Sequence, residues 1–149
     1  MVKLNELTSR ECGEYIKNGG DLVFVPAASP ERLGAHLPVG ARSMIAEIIS
    51  DKLAELHNGL SLPLIPYATV YDDFNGRGSV DIEPELLNRY LSNLCDELTA
   101  NKFRRIIFVT YQTEIYYLCN DYFQEKHIAV AGLSPDGFCG REPVKSVCA

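Results

Sequence analysis

The chain contains no tryptophan, only two methionines and only three histidines, His36, His57 and His127. It has no CxxC pair, so neither a zinc ribbon nor a thioredoxin-like redox motif is encoded. Positive charge is also in short supply. Fourteen Lys and Arg face twenty Asp and Glu, for a net charge of −6 and a pI near 5.0. Phosphate backbones are bound by basic faces, so this balance argues against nucleic acid as a partner. No long hydrophobic run occurs; the apolar stretches are short and broken by proline or charge, and none reads as spanning a bilayer. The first residues, MVKLNELTSREC, lack the apolar core of a signal peptide. The expected location is therefore the cytoplasm. The five cysteines, at 12, 95, 119, 139 and 148, are odd in number. They read as reduced thiols, mostly buried. Cys139 and Cys148 lie in GFCGREPVKSVCA, whose spacing matches no metal template.

What is present is ordinary globular material. The chain has 149 residues, 46% hydrophobic and 23% charged, with a mean hydropathy of −0.05. A single domain over 1–149 with a substantial core is expected. Thr8-Ser9 followed by Glu11 predicts a capped helix start, and Gly19-Gly20 its end. Residues 21–27 (DLVFVPA) form a continuous apolar run, the mark of a strand buried on both faces. Residues 43–56 place Ile45, Ile48, Ile49, Leu53 and Leu56 at helical spacing. Residues 60–71 hold a second strand broken by prolines, followed by the turn-rich DDFNGRGS. Pro84 opens a helix carrying Leu86, Leu87, Tyr90, Leu91, Leu94 and Leu98. Residues 105–109 (RIIFV) form a third strand, 113–126 a helix, and 128–133 (IAVAGL) a fourth strand. Apolar strands alternating with helices predict a parallel α/β sheet. Ligands bind beyond the carboxyl ends of such strands. The loops there, 26–42 and 110–114, each contain a carboxylate, Glu31 and Glu114.

Three segments carry a resemblance. VPAASPERLGAHLPVGAR (25–42) resembles the signature loop of the creatininase (creatinine amidohydrolase) family, typically Pro-Val-Gly-Ser-x-Glu-x-His-Gly-x-His-Leu-Pro and ending Gly-Thr-Asp. GRGSVDIEPELL (76–87) is similar to the family's Pro-Gly-Thr-x-x-Leu-x-Pro-Glu segment. NKFRRIIFVTYQTEI (101–115) is similar to its Gly-Phe-Arg-Arg-Ile strand running into Asn-Gly-His-x-x-Asn. The resemblance covers about residues 20–132 and leaves 133–149 as an irregular tail. It implies a three-layer α/β/α sandwich with a mostly parallel sheet, in a short, truncated member of a usually oligomeric family. It also implies a site with two divalent ions that activate water for hydrolysis of a cyclic or linear amide. Family members run on well beyond the equivalent of this chain's end, into a segment bearing tryptophans that is not found here.

The implied ligands carry over only in part. The first-loop glutamate is Glu31, but the liganding histidine two positions on is Leu33, and the closing aspartate is Arg42. In the second loop the liganding histidine is Gln112, and the carboxylate two residues later is Glu114. The second loop histidine is His36, outside the metal's direct ligands. Leu33 has no lone pair, Gln112 offers a neutral oxygen, and Arg42 is a permanent cation. A guanidinium between Glu31 and Glu114 would neutralise two carboxylates that otherwise repel; Arg32 is a second candidate for that task.

Taken singly, these residues have plainer readings. A lone loop glutamate is usually a solvated carboxylate or a cap. His36, His57 at a helix end and His127 at a strand start are structural histidines. Tyr111 and Gln112 line a small polar pocket or satisfy backbone groups. Tyr116, Tyr117, Tyr122 and Phe123 belong to core or to a subunit contact, and Asp72-Asp73 to a solvated loop, although the resemblance also implies a metal role for an acid in that loop. Ser29 lacks a nucleophile elbow, and Cys95 and Cys119 have no basic neighbour in sequence.

Three functions remain. The first is a non-catalytic subunit or pseudoenzyme without a cofactor, associating with itself or with a full-length creatininase-like chain. The second is an amidohydrolase using Glu31 and Glu114 on one divalent Zn or Mn. The third is a metal-free module binding a small polar ligand through Glu31, His36, Arg42, Tyr111, Gln112 and Glu114.

Overall fold

The computed structural model describes residues 3–70 and 77–135. Asp72, Asp73, Cys139 and Cys148 lie outside these residues. After a 3-10 turn at Leu4–Glu6 the elements alternate. They are α1 (Ser9–Lys17), β1 (Leu22–Ala27), α2 (Ala41–Leu56), β2 (Leu60–Ser61), α3 (Pro84–Ala100), β3 (Arg105–Thr110), α4 (Thr113–Lys126) and β4 (Ala129–Leu133). The strands form one parallel sheet in the order β2-β1-β3-β4. The expected α/β fold is therefore the observed one.

The local chemistry accounts for the element ends. Thr8 and Glu11 form a reciprocal capping box on α1. Pro84 occupies the first turn of α3, where its missing N–H costs nothing. The second strand is interrupted as its prolines require. Only Leu60 and Ser61 pair in the ladder. Pro63 and Pro66 have no N–H to give, while Leu62 and Ile65, which precede them, still donate to the Phe24 and Pro26 carbonyls of β1. His127 does not begin β4. It closes α4 in the left-handed region at φ 55°, and β4 starts two residues later.

Two apolar layers flank the sheet. Val23, Val25, Ile106 and Phe108 point into the larger one, with Leu87, Leu91, Cys95 and Leu98 of α3 and Ile115, Leu118, Cys119 and Tyr122 of α4. Cys12, Tyr15 and Ile16 of α1 pack on its margin. The alternate strand residues, Leu22, Phe24 and Val109, face the second layer, where α2 is the covering helix. This two-sided burial is why β1 reads as unbroken hydrophobicity.

Helix α2 corrects one expectation. Its buried stripe is the small-residue row Ala46, Ser50 and Ala54, flanked by Ile49 and Leu53. Ile48 and Leu56 are 62% and 75% exposed, and Met44 and Ile45 are exposed as well. Small side chains let the helix lie close on Leu22 and Phe24, and Ser50 Oγ meets Ser61 Oγ at 3.1 Å. The branched residues are left outside. In α3, likewise, Leu86 and Tyr90 face solvent, while Leu87, Leu91, Cys95 and Leu98 are buried.

Burial also sets two acidities. The Cys95 thiol is pushed up to about 12 by desolvation. The Tyr122 hydroxyl is pushed up to about 12 by desolvation and then by its hydrogen bond to Asp96, 2.8 Å long. Each is neutral when protonated, and each is harder to ionise folded than unfolded. The stability this confers is whole below about pH 9, the ordinary range of such groups. It is lost as pH rises toward 12. A melting-temperature profile across pH 8–12 is expected to fall in that window, and Cys95 to resist thiol reagents at pH 8 in the folded chain.

Candidate functional site

The sheet register builds the site. Ala27 of β1 pairs with Thr110 of β3, so the chain leaves both strands side by side at their carboxyl ends. Beyond β1, Ala28 and Ser29 are fully buried, and Ser29 Oγ donates to the Val80 carbonyl. The loop is then tied at its neck. Glu31 N–H donates to the Val39 carbonyl at 2.9 Å and Val80 N–H to the Pro30 carbonyl at 3.0 Å. Arg32 N–H donates to Ser79 Oγ at 3.1 Å. Gly34 turns the loop at φ +86°, a region that costs other residues energy. The exposed His36 imidazole folds back over this glycine: a Cβ there would lie 3.2 Å from His36 Nδ1.

The loop ends by entering α2, whose N-cap is Gly40 and whose first turn has no acidic residue. That turn carries Arg42. Its guanidinium is ion-paired to Glu31 and lies over the Tyr111 ring, 4.9 Å from the centroid. The Glu31 side chain is 17% exposed and that of Arg42 34%. A partly desolvated, charge-assisted bond of this kind is stronger than a surface ion pair. The ring face adds a cation–π contact.

Beyond β3, Thr110 is the hub. Its hydroxyl accepts from the Gln112 backbone N–H at 3.1 Å and donates to Gln112 Oε1 at 2.8 Å. Its carbonyl accepts from the Tyr116 hydroxyl at 3.1 Å. The Tyr116 ring in turn fills the space a side chain would need at Gly132 of β4. Gly132→Ala is therefore expected to displace Tyr116 and cost about 1–3 kcal/mol, as overpacking does, read as a lower urea midpoint with an unchanged slope.

The two carboxylates part company. Glu114, in the first turn of α4, lines a cleft of about 20 Å³ with Pro84, Leu87, Leu91 and Ile115. That is room for one water. Glu31 is on the α2 side. Arg42 thus bridges Glu31 and Tyr111, and among the described residues Glu114 has no ion pair with it or with any other cation. The expectation of one guanidinium between both carboxylates is half realised. The role of Thr110 was not legible in the sequence, since a threonine ending a strand has many uses.

These residues do not fit a pair of divalent ions. Such a centre needs several anionic or imidazole ligands converging on each metal. Among the described residues no three of His, Cys, Asp and Glu come together. Glu31 already has its counter-charge in Arg42, and a guanidinium repels a metal.

No curated protein sequence matches the chain. Solved structures do. A tryptophan-to-alanine mutant creatininase superposes with a TM-score of 0.84 at 18% identity, covering 95% of this chain and 61% of that one. A Zn–Zn form of a glutamate-to-glutamine mutant creatininase gives 0.82 at 18% identity over 93% and 60%. A manganese creatininase gives 0.80 at 17% identity over 95% and 61%. At such identities the likeness shows the fold. The chain spans about three fifths of the length of these structures. The family model for creatininase, described as creatinine amidohydrolase, matches residues 5–130. With most of its 149 residues inside that match, the chain belongs to the creatininase family.

Proposed function

We propose that this chain is a non-catalytic member of the creatininase family, a pseudoenzyme that acts as a subunit rather than as a two-metal amidohydrolase. The observation that carries the reading is the Arg42 guanidinium, ion-paired to Glu31 at the carboxyl ends of β1 and β3. A fixed positive charge stands where the family resemblance calls for an anionic ligand. It satisfies Glu31 without a metal, and it removes the electrostatic reason for a divalent ion to bind there. With Leu33 and Gln112 at the other two positions, the chain offers water no Lewis acid to lower its pKa. Amide hydrolysis loses its nucleophile.

Association is the second half of the proposal. Met44, Ile45 and Ile48 form an exposed apolar strip on the outer side of α2, and Leu37 and Val39 of the adjoining loop are exposed beside it in sequence. Apolar surface of this kind favours a protein contact. The expected partner is another creatininase-type chain, its own copy included.

The test pairs an assay with a mass measurement. Creatinine and small linear amides are incubated with the purified chain plus Zn²⁺ or Mn²⁺, and light scattering gives its mass in solution. Hydrolysis at the background rate, with a mass above that of one chain, supports the proposal. Metal-dependent turnover that disappears in Glu31→Ala overturns it.

A further inference from the structure

We infer that the outer face of α3 and α4 is a docking surface for a basic, amphipathic helix of another polypeptide. This face lies on the opposite side of the sheet from α2, so the inference goes beyond the association proposed above. The first observation is apolar surface at helical spacing. Leu87, Leu91, Cys95 and Leu98 turn into the core, which leaves Leu86, Tyr90, Asn93 and Glu97 as one outward stripe. Leu86 is 55% exposed, Tyr90 54% and, on α4, Tyr117 69%. Leu86, Tyr90, Asn93 and Asp96 line a shallow, open depression on α3. Large side chains left in water around a depression suit the apolar stripe of a partner helix.

The second observation is charge. The two helices carry six carboxylates, Glu85, Asp96, Glu97, Glu114, Asp121 and Glu125, against two cations, Arg89 and Lys126. They therefore hold −4 of the chain's net −6. Elsewhere the acids are matched. On α2, Glu47 and Asp51 share Lys3, and Glu55 has Lys52. Every ion pair among the described residues lies outside α3 and α4. Asp96 accepts from the Tyr122 hydroxyl, but none of the six carboxylates has an ion-pair partner among the described residues.

Charge complementarity selects the occupant. An uncompensated acidic field attracts a cationic partner and speeds its approach. Lys and Arg of the partner helix meet the carboxylates, while its apolar stripe covers Leu86 and the tyrosine rings. The ring faces favour cations as well. A second copy presenting the same face would set carboxylate against carboxylate, and nucleic acid is repelled in the same way.

The probe is a dye-labelled helical peptide of about 18 leucine and lysine residues, five turns long, beside a scrambled peptide of the same composition that has no apolar stripe. Fluorescence anisotropy is followed at several salt concentrations on the full chain and on Tyr90→Ala, Glu97→Lys and Glu55→Lys. Saturable binding is expected, weakened at least about tenfold by Tyr90→Ala. Glu97→Lys is expected to weaken it and to flatten its salt dependence. Glu55→Lys, the same charge reversal on α2, is expected to leave it unchanged. Should the Tyr90 or Glu97 variants fold poorly, the Tyr90 and Tyr117 ring resonances of the unaltered chain serve instead, and they are expected to shift with the helical peptide. No saturable binding, equal binding of the scrambled peptide, or unchanged affinity in a folded Tyr90→Ala overturns the inference while leaving the pseudoenzyme reading in place. Equal weakening by Glu55→Lys and Glu97→Lys overturns it too, because it shows attraction to net charge rather than to this face.

Discussion

Phe108→Ala is expected to lower the unfolding free energy by about 3–5 kcal/mol. Phe108 is in β3, between β1 and β4, where it pairs with Val25 on one side and Gly132 on the other. Its side chain is fully buried in the larger core layer, among residues from α3 and α4. Truncation removes the ring's transfer energy and leaves a cavity that a strand held between two parallel partners cannot collapse to fill. Whole-domain stabilities are about 5–15 kcal/mol, so this single change takes a large share. The melting temperature is expected to fall by roughly 10 °C or more. Ile48→Ala, on the exposed side of α2, is expected to change stability by no more than about 0.5 kcal/mol. Urea unfolding of both variants checks the pair, and comparable losses would contradict the placement of α2.

The second large effect is a gain. Leu33→His, Arg42→Asp and Gln112→His together put a ligand at each position where the family resemblance expects one. Two consequences follow. Without metal, Asp at 42 faces Glu31 with no cation between them, so the variant is expected to be less stable than the native chain. With Zn²⁺, the histidines and the two carboxylates supply a ligand set of the right chemistry. Binding is expected with a dissociation constant on the order of 1 µM or tighter, equivalent to about 8 kcal/mol. Ligand binding to the folded form then raises the melting temperature with Zn²⁺ concentration. Arg42→Asp alone is expected to lose stability and gain little metal. A triple variant as indifferent to Zn²⁺ as the native chain would show that positions 33, 42 and 112 do not converge.

Much of the fold was legible in the sequence because its strands are buried on both faces. Continuous runs such as residues 21–27 and 105–109 leave little alternative once helices alternate with them. Pro84, Thr8 and Glu11 marked helix starts by simple backbone chemistry. The outward face of α2 was not legible. Branched residues at helical spacing normally mark the buried side, and here close approach to Phe24 selected alanine and serine instead. The ion pair of Glu31 and Arg42 is a contact that sequence reasoning could reach, because the resemblance placed both residues at one site. The separation of Glu114 from them could not be read, since it depends on α4 packing against α3 while α2 covers the other layer. Nor could the bonds that make Thr110 a hub. They arise from where β3 ends relative to α4, which local pattern does not specify.

The most direct measurement is metal content. The native chain is purified without chelator, incubated with excess Zn²⁺ or Mn²⁺, desalted, and analysed for bound metal beside Glu31→Ala. Because Glu31 is neutralised by Arg42 and no ligand cluster exists among the described residues, metal well below one equivalent is expected in both proteins, each fully folded. Stoichiometric metal in the native chain, lost in Glu31→Ala, would contradict the account and return the chain to the working amidohydrolases.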